Sequence, residues 1–222
     1  MKKIPASILV SAIVLSSQFG VSSAHATDCP SSPFTAPMNL ESAFPYQILA
    51  GAALTLGATV DGADNNHDGI NGTAVADMSA AIASVAGCGG TTGTADLGGV
   101  TYSPGLYLSP AGAAFAVTGD VTLDAEGTSD AIFIFYTPAA LNTTAGIKIT
   151  LTGGALAKNV YWMAGGAITT GASDILSGTF MSNAAITVGA STLLTGRLLG
   201  AAAVTVGAST QFLPLKGEAG NG

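Results

Sequence analysis

The sequence contains few charged residues. Only 9% of its 222 residues are Asp, Glu, Lys or Arg, whereas an ordinary soluble domain carries roughly a quarter. Six Lys and Arg stand against 13 Asp and Glu, which gives a formal net charge of −7. A protein that follows nucleic-acid phosphates needs a basic surface, so we expect no nucleic-acid partner. Thr, Ser, Asn, Ala and Gly must cover most of the surface instead.

Long apolar runs are missing outside the N-terminus. A membrane-spanning helix needs about 18 or more consecutive apolar residues, and no internal segment reaches that length. We therefore expect no membrane partner. Because 48% of the residues are hydrophobic, the chain is rich enough in apolar side chains to form one domain with a sizeable core.

Residues that could carry out catalysis are also scarce. Of the two histidines, only His67 lies outside the predicted leader peptide, and no pairing of a nucleophile with a general base is evident. Four acidic residues fall near one predicted corner, in a Gly-rich turn typical of a solvated loop: Asp120, Asp124, Glu126 and Asp130. We therefore predict that the protein is not an enzyme and uses no cofactor.

A short acidic segment resembles half of a calcium loop. Residues 64–69 read Asp-Asn-Asn-His-Asp-Gly, but Val75 stands where an EF-hand needs a bidentate Glu. A solvated turn is the favoured interpretation, and we predict no metal. A partial calcium site stays open as an alternative, formed by Asp61, Asp64, Asn66 and Asp68.

The N-terminus has the features of a secretory signal peptide. Lys2 and Lys3 precede a short apolar run over residues 8–15, and Ala24-His25-Ala26 provides the small-x-small cleavage pattern. We predict cleavage after Ala26 and secretion. The remaining chain divides into a cap or tail over residues 27–43, one β domain over residues 44–215 and a flexible tail over residues 216–222.

Cys29 and Cys88 are the only cysteines, and both belong to the exported part. In an oxidising compartment a Cys29–Cys88 disulfide is the default interpretation, and two buried free thiols are the alternative.

An internal repeat of 18 residues is the strongest signal in the sequence. Residues 167–184, 185–202 and 203–210 align without a gap, so that Thr169, Thr187 and Thr205 are 18 residues apart. Residues 53–59 have the same form, and the segments around Thr122 and Thr150 match it more loosely. Each unit begins with strict alternation of apolar and Thr residues, as a half-buried strand requires.

This repeat predicts a mainly β fold. Eighteen residues divide into three short strands with tight corners, which is one coil of a right-handed parallel β-helix of roughly triangular section. We count about six coils and expect coiling to resume near Gly99 after one helix. That helix is predicted over residues 73–86, with Thr73 as N-cap, Gly87 as its end and one apolar stripe: Val75, Met78, Ile82 and Val85.

Two apolar strands are predicted to be buried on both faces. They cover residues 132–135 and 160–163, and in a solenoid one face would point inward while the other packs against the helix. The place of the first coil in the stack stays open.

The outward positions of the repeat define a candidate binding surface. Equivalent residues of successive coils stack at about 4.7–4.9 Å, and the resulting ribbon is flat, uncharged and evenly spaced. The predicted middle file is Thr55, Thr122, Thr150, Thr169, Thr187 and Thr205. The flanking files are Ala167, Ala185 and Ala203 on one side, and Gly171, Gly189 and Gly207 on the other.

From Phe44 to about Phe212 the sequence resembles the secreted microbial ice-binding proteins. The matching segments are residues 47–51, 102–107, 117–124, 131–135, 159–162 and 194–199. The resemblance implies a discontinuous β-helix with one long flanking α-helix, and adsorption to ice through one flat face without catalysis or cofactor. The predicted threonine file corresponds to positions on that face, and ice is the implied partner of a monomer.

An extracellular β-solenoid used for adhesion or matrix structure is the alternative function. It would need a longer array, an anchor or aromatic platforms for sugars. The single Trp162 lies in a strand predicted to be buried.

Overall fold

The computed structural model describes residues 40–43, 46–57, 68–213 and 215. These residues form one α-helix, α1 (Gly72–Ala86), and three short 3-10 segments: Glu41–Ala43, Pro110–Gly112 and Ala157–Asn159. The described strands are, in chain order, β1 (Ile48–Ala50), β2 (Leu54–Leu56), β3 (Asp68–Ile70), β4 (Thr91–Thr92), β5 (Thr101–Tyr102), β6 (Gly105–Leu108), β7 (Phe115–Val117), β8 (Val121–Asp124), β9 (Phe133–Thr137), β10 (Leu141–Thr143), β11 (Ile149–Thr152), β12 (Val160–Ala164), β13 (Ile168–Thr169), β14 (Ile175–Ser182), β15 (Ile186–Val188), β16 (Leu193–Gly200), β17 (Val204–Val206) and β18 (Gln211–Leu213).

The strands form three parallel sheets, one on each face of the predicted β-helix. The helix-side sheet has the order β3-β1-β16-β14-β12-β9-β6-β4, with β18 also paired to β16. The threonine sheet has the order β2-β17-β15-β13-β10-β7, and the third sheet, here called the mixed sheet, has the order β11-β8-β5. A bridge between Lys148 and Ile175 continues the mixed sheet into the first halves of β14 and β16. The prediction of a mainly β solenoid of about six coils is confirmed.

The first coil stacks on the last one. Ile48 pairs with Leu198, and Leu54 pairs with Val204, so β1 and β2 lie beside β16 and β17. Helix α1 then separates this coil from β4, at the opposite edge of the helix-side sheet. Its 15 residues extend about 22 Å, which matches four to five coil spacings. The helix therefore covers most of the six spacings that separate β1 from β4 in the helix-side sheet.

The helix begins one residue earlier than the sequence pattern predicts. Asn71, not Thr73, is the N-cap, because its side-chain oxygen accepts hydrogen bonds from the amides of Thr73 and Ala74 at 3.0 and 3.2 Å. The predicted end at Gly87 is confirmed. Coiling resumes at β4, earlier than the predicted position near Gly99.

The apolar residues form two cores. The first fills the interior of the coils and includes Phe133, Phe135 and Trp162. The second lies between the helix-side sheet and α1, and it contains the helix residues Ala74, Met78, Ala81, Ile82 and Val85 together with Ile134, Tyr161 and Met163. The predicted strands with two buried faces are thus confirmed, since alternate side chains of β9 and β12 enter different cores.

A ladder of rings runs through the interior core. Phe135 stacks on Trp162 with a centroid distance of 4.3 Å, and Tyr107 and Phe180 continue the ladder at 5.1 and 5.9 Å. The Trp162 indole also donates a hydrogen bond to the carbonyl of Ser177 at 2.9 Å. These contacts fix the register of four successive coils from within.

Several predictions from the sequence concern residues outside the described part. These are the signal peptide over residues 1–26, the C-terminal tail, and the calcium alternative, for which none of the four side chains is described. Cys88 is buried at the end of α1, but Cys29 lies outside the described residues, so their pairing stays a prediction. In the described part of the chain, α1 is too short to cross a membrane.

A glycine column marks the corner where β14 and β16 pass from the mixed sheet to the helix-side sheet. Gly178 and Gly196 pair with each other and have φ angles of 116° and 155°. A Cβ added to Gly196 would lie 1.9 Å from the carbonyl oxygen of Gly178. The column therefore lets two coils approach within backbone contact.

We predict that Gly196→Ala lowers the free energy of unfolding by about 2–3 kcal/mol, because the new methyl group must displace backbone. Chemical denaturation followed by circular dichroism measures this loss. Gly72→Ala is the matched control, since a Cβ there meets no atom within 4 Å, and we expect a change within about 0.5 kcal/mol. Equal stability of Gly196→Ala and the wild type would contradict the packing at this corner.

Candidate functional site

The outward side chains of the threonine sheet form three parallel files. In β15, Ile186 and Val188 are buried while Thr187 between them is exposed, and β17 repeats this alternation. The parallel register then places equivalent residues of neighbouring strands side by side, at about 4.7–4.9 Å. We call the outward surface of this sheet the threonine face.

The middle file contains four consecutive threonines. Thr187 pairs with both Thr169 and Thr205, and Thr205 pairs with Thr55 of the first coil. All four side chains are exposed. In the other two coils the file continues with Asn142 and then Ala116. The sequence repeat therefore predicted four members of this file, and it missed Asn142 and Ala116 because their coils do not have the 18-residue spacing.

Two predicted members of the file lie on another face. Thr122 and Thr150 pair with each other in the mixed sheet, where Thr122 also pairs with Thr101. The prediction that they belong to one file with Thr169 is wrong. An apolar-Thr-apolar strand occurs on two faces of this solenoid, and alternation alone does not say on which side of a corner a strand lies.

The flanking file on the N-terminal side of the strands consists of alanine in all six coils. The residues before each strand are connected from coil to coil by backbone hydrogen bonds, and this file is Ala53, Ala203, Ala185, Ala167, Ala140 and Ala114. The structure thus places the predicted Ala167, Ala185 and Ala203 together and adds Ala53, Ala140 and Ala114, which the predicted file did not include.

The flanking file on the other side contains glycine in four coils. Gly57 joins the predicted Gly171, Gly189 and Gly207, and in the remaining two coils the file continues with Thr144 and Thr118. A Cβ on Gly189 would lie 2.2 Å from the carbonyl oxygen of Gly171, so a larger residue does not fit there without movement of the backbone. Tight coil-to-coil packing thus selects glycine in this file.

The corner beside the glycine file is stiffened by hydrogen bonds. Thr192 and Thr210 are buried, and their hydroxyls donate to the carbonyls of Gly189 and Gly207, each at 2.9 Å. In the preceding coil a buried Asp174 takes this place and accepts from the amide of Ile147. These contacts hold the edge of the threonine face in one conformation.

The four threonine hydroxyls of the middle file differ from these corner hydroxyls. Within the described residues, Thr55, Thr169, Thr187 and Thr205 make no side-chain hydrogen bond to the protein. Because β-branched side chains have few rotamers, the file is still ordered. It therefore presents a regular array of methyl groups and of hydroxyls that are free to bond to an external partner.

None of the outward positions of the six strands or of their flanking files carries a charge. An exposed carboxylate, that of Asp96, lies at the edge beyond β7, where Asp96 bridges to Ala116. The hydroxyl of Thr118 donates to this carboxylate, and this bond, with others from the amides of Gly98 and Thr118, holds the pKa of Asp96 below its usual value. Asp96 is therefore ionised at neutral pH.

The outer surfaces of the helix-side sheet and of the mixed sheet are less suited to bind a flat, periodic partner. Helix α1 packs on the helix-side sheet. The mixed sheet carries the charged residues Asp120 and Lys148, and Ile175 and Leu213 expose about two fifths of their area, at 40% and 43%. The threonine face alone combines exposure, regular spacing and the absence of charge among the described residues.

The acidic residues predicted near one corner lie at two, because β8 separates Asp120 from Asp124 and Glu126, and these three take structural positions. Asp120 accepts from the amide of Lys148, Asp124 accepts from the amide of Glu126, and Glu126 accepts from the hydroxyl of Ser103. In the described part of the chain, no three His, Cys, Asp or Glu residues are grouped in a way that could hold a metal ion. These carboxylates therefore orient loops between coils.

Comparison with known proteins gives a consistent result. The model of the family described as "Ice-binding-like" matches residues 14–211. The ice-binding protein of Flavobacterium frigoris (strain PS1) is 34% identical over 113 residues, which cover 49% of this chain and 40% of that protein. Ice-binding protein K1-A of Typhula ishikariensis is 37% identical over 115 residues, covering 49% and 45%. The aligned segment thus spans less than half the length of either relative.

Solved structures extend the likeness to most of the chain. An ice-binding protein from an Antarctic biological consortium superposes with a TM-score of 0.72 and 28% identity, over 81% of this chain and 91% of that one. The ice-binding protein of the Antarctic ascomycete Antarctomyces psychrotrophicus gives a TM-score of 0.68 at 28% identity, over 79% and 97%. The fold and the sequence therefore lead to the same group of proteins.

The lowered pKa of Asp96 predicts a pH dependence of stability. The ionised carboxylate stabilises the fold above the pKa that Asp96 has in the unfolded chain, and this contribution disappears as the pH falls through the lower folded-state pKa. We expect Asp96→Asn to be less stable than the wild type at neutral pH and equally stable in strong acid. The difference is small, on the order of a few tenths of a kcal/mol, because Asp96 is exposed.

Thermal unfolding of both proteins from neutral pH to pH 2 measures this difference. Thr118→Val should also weaken the pH dependence of stability, since the Thr118 hydroxyl makes the largest contribution to the lowered pKa of Asp96. Identical pH profiles for the wild type and Asp96→Asn would contradict the role of this carboxylate.

Proposed function

The chain belongs to the ice-binding-like family, and on this premise we propose that it adsorbs to ice through the threonine face. The observation that carries the proposal is the file of four exposed threonines in strict register across four coils. A crystalline lattice of water is a partner that matches a flat, periodic and uncharged surface bearing hydroxyls.

The chemistry of the file supports this partner. Each Thr provides a methyl group, around which water forms a cage, and a hydroxyl, which anchors that cage by hydrogen bonds. A charged group would instead orient water toward itself. The flanking alanines and glycines keep the surface low, so that ordered water can extend across the three files.

Because the face is rigid, it loses little conformational entropy on binding. The threonines have little rotamer freedom to lose. Strands β13, β15 and β17 are held by hydrogen bonds to a strand on either side, and β2 is held by its pairing with β17. The face therefore has nearly the same conformation free and bound, which favours adsorption to a solid surface.

Adsorbed protein molecules stop the growth of the ice surface at the points where they are bound. The front between them curves outward, and this curvature makes the addition of further water less favourable. The consequence is slower ice growth and slower recrystallisation. The proposal includes export with removal of residues 1–26, and action as a monomer without cofactor or catalysis.

We predict that Thr187→Tyr and Thr205→Tyr each raise the concentration needed to stop ice recrystallisation by about tenfold or more, because a ring in the middle of the file lifts the face away from the lattice. Both side chains are exposed, so the circular dichroism spectra should not change. Recrystallisation in a thin frozen film, followed by microscopy, gives the concentration.

Thr152→Tyr is the control, because Thr152 is an exposed threonine of a strand in the mixed sheet. We expect this variant to match the wild type. Full activity of both variants on the threonine face would move the ice-binding site to another surface.

A further inference from the structure

The threonine face is divided into two unequal parts. Four coils contribute Thr55, Thr205, Thr187 and Thr169 to the middle file, whereas the other two contribute Asn142 and Ala116. The change occurs at one step, between β13 and β10, and all six strands keep the same parallel register across it. The backbone of the sheet is thus regular across this step, whereas the side chains of the middle file change from threonine to Asn142 and Ala116.

Asn142 changes the surface in three ways. Its side chain extends one atom farther than that of Thr, it has no methyl group, and its amide rotates about a broad χ2 torsion. The side chain is exposed and makes no hydrogen bond to a described residue. An exposed amide that is not held in place presents donors and acceptors in positions that vary, so it breaks the regular array.

The hydroxyls beyond Asn142 are already engaged within the protein. Ala116 has no hydroxyl, and two threonines of these coils, Thr144 and Thr118, stand in the neighbouring file instead. The Thr144 hydroxyl donates to the carbonyl of Val117 at 3.3 Å, and the Thr118 hydroxyl donates to the Asp96 carboxylate. Neither has the free hydroxyl proton that the four threonines of the middle file offer.

A charge lies at the same end of the face. Asp96 is exposed, bridges to Ala116 and is ionised at neutral pH, since its hydrogen bonds lower its pKa. A carboxylate orients its first water shell strongly, and a lattice that reached it would have to give up that hydration. The two coils of β10 and β7 therefore combine an irregular amide, engaged hydroxyls and a nearby charge.

We propose that contact with ice is confined to the four coils that carry Thr55, Thr205, Thr187 and Thr169, and that Asn142 sets the boundary of this contact. The inference rests on the proposed function. Two of its consequences are specific to this chain. The first coil completes the site by adding Thr55 beside Thr205, and the contact lies toward one end of the solenoid rather than at its centre.

The boundary is tested with two matched substitutions in one file. Thr187→Tyr and Asn142→Tyr place the same ring at exposed middle positions of the same sheet, on the two sides of the boundary. We expect Thr187→Tyr to lower the fraction of labelled protein retained in growing ice by about tenfold, and Asn142→Tyr to lower it by less than about twofold. Circular dichroism and the thermal midpoint verify that both variants are folded.

A second test of the boundary uses a substitution that is expected to increase retention in ice. Asn142→Thr should extend the file from four threonines to five and increase retention in ice by about twofold or more, because the new contact is added to an ordered array. Asn142→Ala is the control, since it removes the amide without adding a hydroxyl or extending the file. We expect Asn142→Ala to change retention less than Asn142→Thr does.

The outcomes separate this inference from the proposed function. Retention of the wild type, with equal losses in Thr187→Tyr and Asn142→Tyr, would overturn the boundary but leave ice binding by this face intact. Retention of the wild type with no loss in either variant would overturn both the boundary and the choice of face. Exclusion of the wild type from ice would overturn the proposed function itself.

Discussion

Parallel stacking of one coil on the next, in register, is the constraint on which the rest of the structure depends. Each strand inside a sheet donates and accepts backbone hydrogen bonds with the coil on either side, which sets the spacing to about 4.7–4.9 Å. The same register aligns the ring ladder from Tyr107 to Phe180 inside and the threonines outside. A regular surface is therefore a direct product of a regular core.

The helix and the small residues make this stacking possible. Helix α1 covers the outer face of the helix-side sheet, whose strands would otherwise expose Ile134, Tyr161 and Met163. It also returns the chain from the first coil to the far end of the stack. At the corners, glycine columns allow contact between backbones of neighbouring coils. The face proposed to bind ice is flat at one edge because close backbone contact there leaves no room for side chains larger than glycine in four coils, and the other edge carries alanine in all six coils.

The sequence predicted those parts of the fold that repeat. The 18-residue period identified Thr169, Thr187 and Thr205, and residues 53–59 identified Thr55, because regular coils leave a regular pattern. Alternation alone places Thr122 and Thr150 on the wrong face, since an apolar-Thr-apolar strand also occurs in the mixed sheet. Asn142 and Ala116 could not be found, because only the pairing of β10 and β7 places them in the file. The stacking of the first coil on the last is likewise a tertiary contact without a local signal.

Ice affinity of the intact protein tests the central claim most directly. A single crystal of ice is grown as a hemisphere in a solution of the fluorescently labelled protein, and uptake is compared with that of an inert protein of similar net charge. The account predicts strong incorporation of this protein on defined crystal planes and exclusion of the inert one. Exclusion of both, with a folded β spectrum for this protein, would contradict the account.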